Sequence, residues 1–208
     1  MEDVLDVYAR PYDAQRPVIC MDETSKQLLA DTREPLPMQP GQPERIDSEY
    51  DRQGVANLFT VFEPLAGQRH VSVTDRRTRI DWAAAMREVA DVHYPDAKCI
   101  VVVLDNLNTH DPASFYEAFA PEEAHRLTQR FEFHHTPKHG SWLNMAEIEF
   151  SVLGRQVLNR RIPDQDTLRA EVVAWQHQRN GKTVKVDWQF MTADARTKLK
   201  YLYPKIHD

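Results

Sequence analysis

Between Cys99 and Asp105 the chain reads CIVVVLD, an unbroken apolar run ending in an acid. A strand with one face in water alternates apolar and polar residues; this one does not, so both of its faces are covered. Such strands belong to parallel sheets sandwiched by helices, which fixes the class as α/β. The flanking segments fit. PVICMDE predicts a strand ending near Asp22, and VANLFTVFEPL and RHVSVTD, separated by AGQ, predict a hairpin. RIDWAAAMREVADVHY has helical spacing, with Ile80, Ala83, Ala84, Met86 and Val89 toward one side and Pro95 as its stop. A helical stretch over 115–130, a short strand in FEFHHTP and helical patterns over 141–161 and in DQDTLRAEVVAWQHQ follow, the last capped by Asp164 or Asp166. Asp31 to Pro43, with four prolines and a glycine, reads as an extended surface loop. The order predicts a mixed central sheet flanked by helices, one α/β domain over residues 1–208, with a helical, basic part over 162–208.

Composition narrows the function classes. A chain of 208 residues supports one good core. No apolar run approaches the ~20 residues of a membrane span, and MEDVLDVYAR lacks a signal-peptide core. Cys20 and Cys99 form no CxxC pair, so a reduced, cytoplasmic setting is expected. The net charge of −6 argues against a dedicated nucleic-acid binder, but its distribution is uneven. Residues 1–150 carry 15 Lys+Arg against 26 Asp+Glu, whereas residues 151–208 carry 11 against 6. Carboxylates could thus meet metals in the body and lysines meet phosphates in the C-terminal part. Scatter among solvated faces is the plain alternative.

Three acids stand out. Asp22 and Asp105 each end an apolar strand, where an ionised carboxylate is costly unless paired or bound to a metal. Functional groups of α/β sheets gather at strand ends, although Asp there is also a common turn former. Glu147 shares a helical stripe with Leu143, Phe150, Gly154 and Val157, so it would point at the sheet. Asn144-x-x-Glu147 equally matches a capping box, and periodicity leaves the two readings even. Hard oxygen donors of this kind suit Mg²⁺, which takes few carboxylates and fills its remaining positions with waters and phosphates.

The text around these acids carries more. PVICMDETSKQLLA (17–30), VLDNLNTH (103–110) and TPKHGSWLNMAEIEF (136–150) resemble, in order, motifs of the DDE transposases of bacterial insertion sequences related to the mariner superfamily. The C-x-D-E, D-N-x-x-x-H and W-L-N-x-x-E motifs place that family's acids on Asp22, Asp105 and Glu147. The resemblance implies an RNase H-like fold and two Mg²⁺ or Mn²⁺ ions, with Asp22 bridging both and Asp105 and Glu147 each completing one. It implies cleavage of double-stranded DNA at element ends, strand transfer into a TA target, a homodimer on DNA and a nucleoid association while so engaged. Two departures are visible. Residues 106–146 make the gap between Asp105 and Glu147 41 residues, longer than is usual in the family, with the excess expected between Asp111 and Arg130. The family's N-terminal helix-turn-helix region is expected to be absent, either separately encoded or lost. The competing readings are a truncated remnant acting as a partner or inhibitor of a complete transposase, and another RNase H-like nuclease.

Around the acids, Asn106 and His110 are candidates for orienting a ligand or touching DNA, a helix-capping His110 being the alternative. Lys138 would contact a phosphate as a point charge, and Trp142 would stack on a base or serve as a core or lid aromatic. Asn144 belongs to the same turn. Arg155, Arg160 and Arg161 either track the DNA backbone or form a solvated face. His134, His135 and His139 lack zinc-finger spacing, so no structural zinc is expected. Glu23 should face away from Asp22 by strand alternation, and Glu149 lies roughly 200° around the helix from Glu147; both are poorer ligands.

Overall fold

The computed structural model describes residues 1–43, 45 and 47–203. A short helix, α1 (Glu2–Tyr8), leads into β1 (Val18–Asp31), β2 (Tyr50–Glu63) and β3 (Gln68–Thr74). Then come α2 (Arg79–Glu88), β4 (Ile100–Leu104), α3 (Ala113–Ala118), α4 (Pro121–Thr128) and β5 (Phe131–His135). Three helices close the chain: α5 (Ala146–Leu153), α6 (Gln165–Gly181) and α7 (Thr192–Lys198). The five strands form one mixed sheet of order β3-β2-β1-β4-β5. β1, β2 and β3 pair antiparallel, while β4 runs parallel to both β1 and β5.

β4 is buried along its whole length, as its unbroken apolar run requires. Ile100, Val102 and Leu104 join one core with Ile19, Met21, Trp82 and Met86 under α2, α3 and α4. Val101 and Val103 face the opposite core with Cys20, Leu143, Met145 and Ala146. That second core also takes Val4, Leu5 and Val7, so the acidic N-terminus is an amphipathic helix rather than a bare tail. A third cluster, from Leu58 and Ala56 to Leu153, Leu168 and Trp175, seats α6 beside β2 and β3. Among the described residues no helix is long and apolar enough to cross a membrane.

Several expected boundaries shift. β1 does not end at Asp22 but continues to Asp31, because β2 pairs with it from Cys20↔Phe62 to Asp31↔Tyr50. The apolar run stops where the parallel neighbour stops, the last β1–β4 pair being Cys20↔Val103. Over α2 and the helical turn that follows it (Val89–His93), the inward stripe is Trp82, Ala83, Met86, Val89 and Ala90, while Ile80 and Ala84 are exposed. The bulky Trp82 sets the phase, and Ile80 and Ala84 fall on the opposite side of the 3.6-residue turn. The expected 115–130 helix breaks in two at Phe119–Pro121, where Phe119 is extended and Pro121 starts α4. The helix expected from 141 is likewise interrupted: a 3₁₀ turn over Ser141–Leu143 gives way to extended Asn144 before α5 begins. Asp164 caps α6, accepting from the Thr167 N–H at 2.7 Å.

Candidate active site

Parallel pairing of β1 with β4 sets the first two acids. The last parallel pair is Cys20↔Val103, so Asp22 lies two residues further along β1 and Asp105 two residues further on, just past the end of β4 at Leu104, and the charge of Asp105 acts on Asp22. Alternation along β1 puts Asp22 on the Cys20 face. α5 packs on that face against β1 and β2. Its start is pinned there by buried Asn144, whose Nδ2 donates to the Met21 carbonyl at 2.9 Å and whose Oδ1 accepts from the Ala146 N–H at 3.2 Å. This is the peptide bond leading into Asp22, so Asn144 ties the helix to the acid's own backbone. The Asn144–Glu147 capping box is not formed, because Asn144 uses its side chain across the sheet.

Glu147 is exposed rather than turned onto the sheet. The break at Asn144 resets the helical phase, and the inward line becomes Ala146, Glu149, Leu153 and Val157. Glu147 nevertheless stands close enough for its charge to act on Asp22. Burial drives the Asp22 carboxyl up to about 7 against the hydrogen bond from the Glu23 N–H, and Asp105, Glu147 and Glu23 add to the rise. Asp105 goes the other way. The hydrogen bond from His110 outweighs burial and holds it below the usual carboxylate range.

His110 is central to that contrast. Its ring is fully buried, with Nδ1 2.6 Å from Asp105 Oδ1 and Nε2 2.6 Å from Glu23 Oε2. Burial opposes the imidazolium, but these two carboxylates prevail and lift His110 to about 9. Glu23 faces away from Asp22 as alternation requires, yet His110 links it to the site; the signal was the His five residues after Asp105. Asn106 and Lys138 are exposed. Trp142 is neither core nor free: 44% exposed, it stacks on Trp188 at 6.4 Å and meets the edge of Phe190 at 5.9 Å. The turn before it is tight, with His139 at φ 63° and a Gly140 N–H bond to the Pro137 carbonyl at 2.8 Å.

The remaining candidates bind within the chain. Arg160 pairs with Glu171 and Arg161 with Asp31, each at 2.5 Å, and Arg155 donates to Ser151. His134 lies between Asp3 and Glu132, and His135 reaches the His110 carbonyl. Glu149, passed over as a ligand, is a buried ion-pair partner of Arg69 at 2.9 Å and Arg179 at 3.1 Å.

The charges of Asp105 and Glu147 both bear on Asp22, and among the described residues no Lys or Arg forms an ion pair with any of the three. Such a donor set fits a divalent cation. The acids do not form a closed cage: among the described residues no three His, Cys, Asp or Glu side chains are gathered to hold an ion unaided. Mg²⁺ needs no such cage, since one or two carboxylates serve it with waters and substrate phosphates.

A mixed sheet of this order, flanked by helices and bearing strand acids beside a helix acid, defines the RNase H-like class of nuclease folds. The chain belongs to the DDE superfamily of endonucleases, whose family model matches residues 17–169. Among solved structures, the Mos1 strand transfer complex superposes with a TM-score of 0.59 at 12% identity, covering 87% of this chain and 54% of that one. The Mos1 mariner paired end complex with Mn gives 0.57 at 13%, with coverages of 87% and 56%. A pre-cleavage Mos1 transpososome gives 0.55 at 14%, with 87% and 58%. The chain thus spans little more than half the length of these structures. No curated protein matches it by sequence.

Proposed function

We propose that this chain, over residues 1–208, is the catalytic unit of a transposase, cleaving DNA at the ends of an insertion sequence and joining those ends to target DNA. One observation carries the reading: Asp22 and Asp105 each lie two residues beyond the last parallel pair, Cys20↔Val103, and Asn144 docks the start of the Glu147 helix on β1. Asp22, Asp105 and Glu147 would hold two Mg²⁺ or Mn²⁺ ions. When bound, these ions supply activation of the attacking oxygen and stabilisation of the leaving oxygen in an in-line displacement. Asp22 must shed its proton to serve as a ligand, and its carboxyl sits near 7 without one. Asn144 holds the helix acid at a fixed place along β1. Exposed Lys138 and the half-covered Trp142 border the same turn and suit a phosphate and a base of the DNA. Asn106, exposed on the loop after Asp105, suits a further DNA contact.

The Mos1 structures hold a related fold in a strand transfer complex and a paired end complex, the latter with Mn. They support DNA as the partner; a double-stranded substrate, a TA target and a homodimer on DNA are further elements of the proposal. The test is nicking of a duplex carrying the element's end, in Mg²⁺ or Mn²⁺ and in chelator. Metal-dependent nicking that Asp105→Asn abolishes supports the reading. Equal nicking by Asp105→Asn refutes it.

A further inference from the structure

Asp105 is the first residue after β4, in a segment over residues 105–107 that has no regular structure. Nothing in the strand's hydrogen bonding therefore fixes the direction of its carboxylate. The chain supplies two other holds, both on the same oxygen: Oδ1 lies 2.6 Å from His110 Nδ1 and accepts from the Leu107 N–H at 3.3 Å. Oδ2 has no protein partner among the described residues, which leaves it available to a ligand.

The imidazole that holds Oδ1 is itself held. His110 is buried against Trp82, ring centroids 5.8 Å apart, and its Nε2 meets Glu23 Oε2 at 2.6 Å. Its own backbone is turned by the His110 N–H bond to the Leu107 carbonyl, at 2.9 Å. Glu23 is a poor investment for stability by itself: its side chain is 3% exposed, and its Oε1 is buried without a hydrogen-bond partner. A carboxylate kept dry with one oxygen unmatched costs folding free energy. What it provides is a fixed point on the far face of β1, one residue from Asp22, to which the loop carrying Asp105 is tied through one imidazole.

We infer that Glu23 is a positioning residue, which acts through His110 to fix the orientation of Asp105 and thereby the affinity of the site for a divalent cation. The inference rests on the metal-site reading above and adds to it a residue from the opposite face of the sheet. Outer partners of this kind orient ligands, and losing one typically costs about 10- to 100-fold in metal affinity or activity. Because Glu23 and His110 act in series, removing both does no more than removing either.

The test is Mn²⁺ binding by the full chain without DNA, measured calorimetrically or by the loss of the free-ion electron paramagnetic resonance signal. Amide hydrogen exchange at Asn106–His110 is followed in the metal-free protein. Glu23→Ala, His110→Ala and their double variant are expected to weaken Mn²⁺ binding by about 10-fold or more, to the same extent, and to speed exchange in this loop. Glu23→Gln, which keeps an acceptor for the imidazole N–H, restores most of the affinity. Unchanged Mn²⁺ affinity in Glu23→Ala overturns the inference, as does a double variant whose loss is the product of the single losses. No Mn²⁺ binding by the unmodified chain refutes the metal reading itself. Exchange then decides the anchoring of the loop alone: faster exchange in Glu23→Ala supports it, and unchanged exchange overturns it.

Discussion

Replacing Glu149 with alanine should destabilise the fold more than any other single charge removal near the site. Glu149 sits on the inward line of α5 with Arg69 from β3 and Arg179 from α6 on either side, at 2.9 and 3.1 Å. Arg69 and Glu149 are 0% and 1% exposed, Arg179 14%. Breaking a buried ion pair by deleting one partner typically costs about 3–5 kcal/mol, because the remaining charge stays buried. Here two guanidiniums would be left facing each other. Relief is partial: Arg69 keeps the Val184 and Gly67 carbonyls and Asn180 Oδ1, and it lies over the Phe62 ring. The lower half of that range, about 3–4 kcal/mol, is therefore expected. In a chain of this size it corresponds to a fall of roughly 6–16 °C in Tm. Urea titration followed by circular dichroism reads it as a lower midpoint at unchanged slope. Arg179→Gln should cost less than Arg69→Gln, in line with exposure. A Glu149→Ala midpoint equivalent to less than about 1 kcal/mol would refute the reasoning and mark the pair as a surface-like contact.

Three further outcomes follow from the geometry. Asp22 has its folded pKa raised to about 7 from 3.8, so the folded state binds the extra proton between these values. Stability of the metal-free chain relative to Asp22→Asn should therefore fall as pH rises from about 4 to 7 and level off above it, as paired urea titrations would show. A flat difference contradicts the raised carboxyl. By the same linkage, Mn²⁺ affinity should weaken as pH drops below about 7, by at most about tenfold per unit for one displaced proton; calorimetry at pH 6 and 8 checks it. Gly140→Ala would place a methyl 2.6 Å from Pro137 Cγ and 2.9 Å from its carbonyl oxygen. Overpacking of this kind costs about 1–3 kcal/mol, and the distorted turn should also reduce DNA nicking, measurable side by side on the purified variant.

β4 was the most legible element, because an unbroken apolar run has few homes, and its terminal Asp105 came with it. The hairpin was readable as two strand-like runs joined by the short AGQ turn. The end of β1 was not: a strand's length depends on its partner, and β2 carries β1 nine residues past Asp22. Local periodicity also misplaced Glu147, since the Asn144 break that resets the helix is caused by a hydrogen bond to Met21, 123 residues away. Glu149 shows the same blindness from the other side. Its partners are Arg69 and Arg179, and no spacing within α5 announces them. For Glu23, alternation assigned the face correctly; what it could not reveal was that His110 reaches round the end of β4 to that face. Where periodicity stood even, the motifs are what single out Asp22, Asp105 and Glu147 as candidates.

The most direct measurement of the central claim is a crystal soaked in Mn²⁺, alone and with a DNA 3′ end, examined by anomalous scattering at the manganese edge. The account predicts density bounded by the carboxylates of Asp22, Asp105 and Glu147, with Asp105 contributing Oδ2 while Oδ1 stays on His110. With DNA present, two peaks about 3.5–4 Å apart are expected. Manganese bound elsewhere with these three acids empty, in crystals whose DNA end occupies the same face, would contradict it.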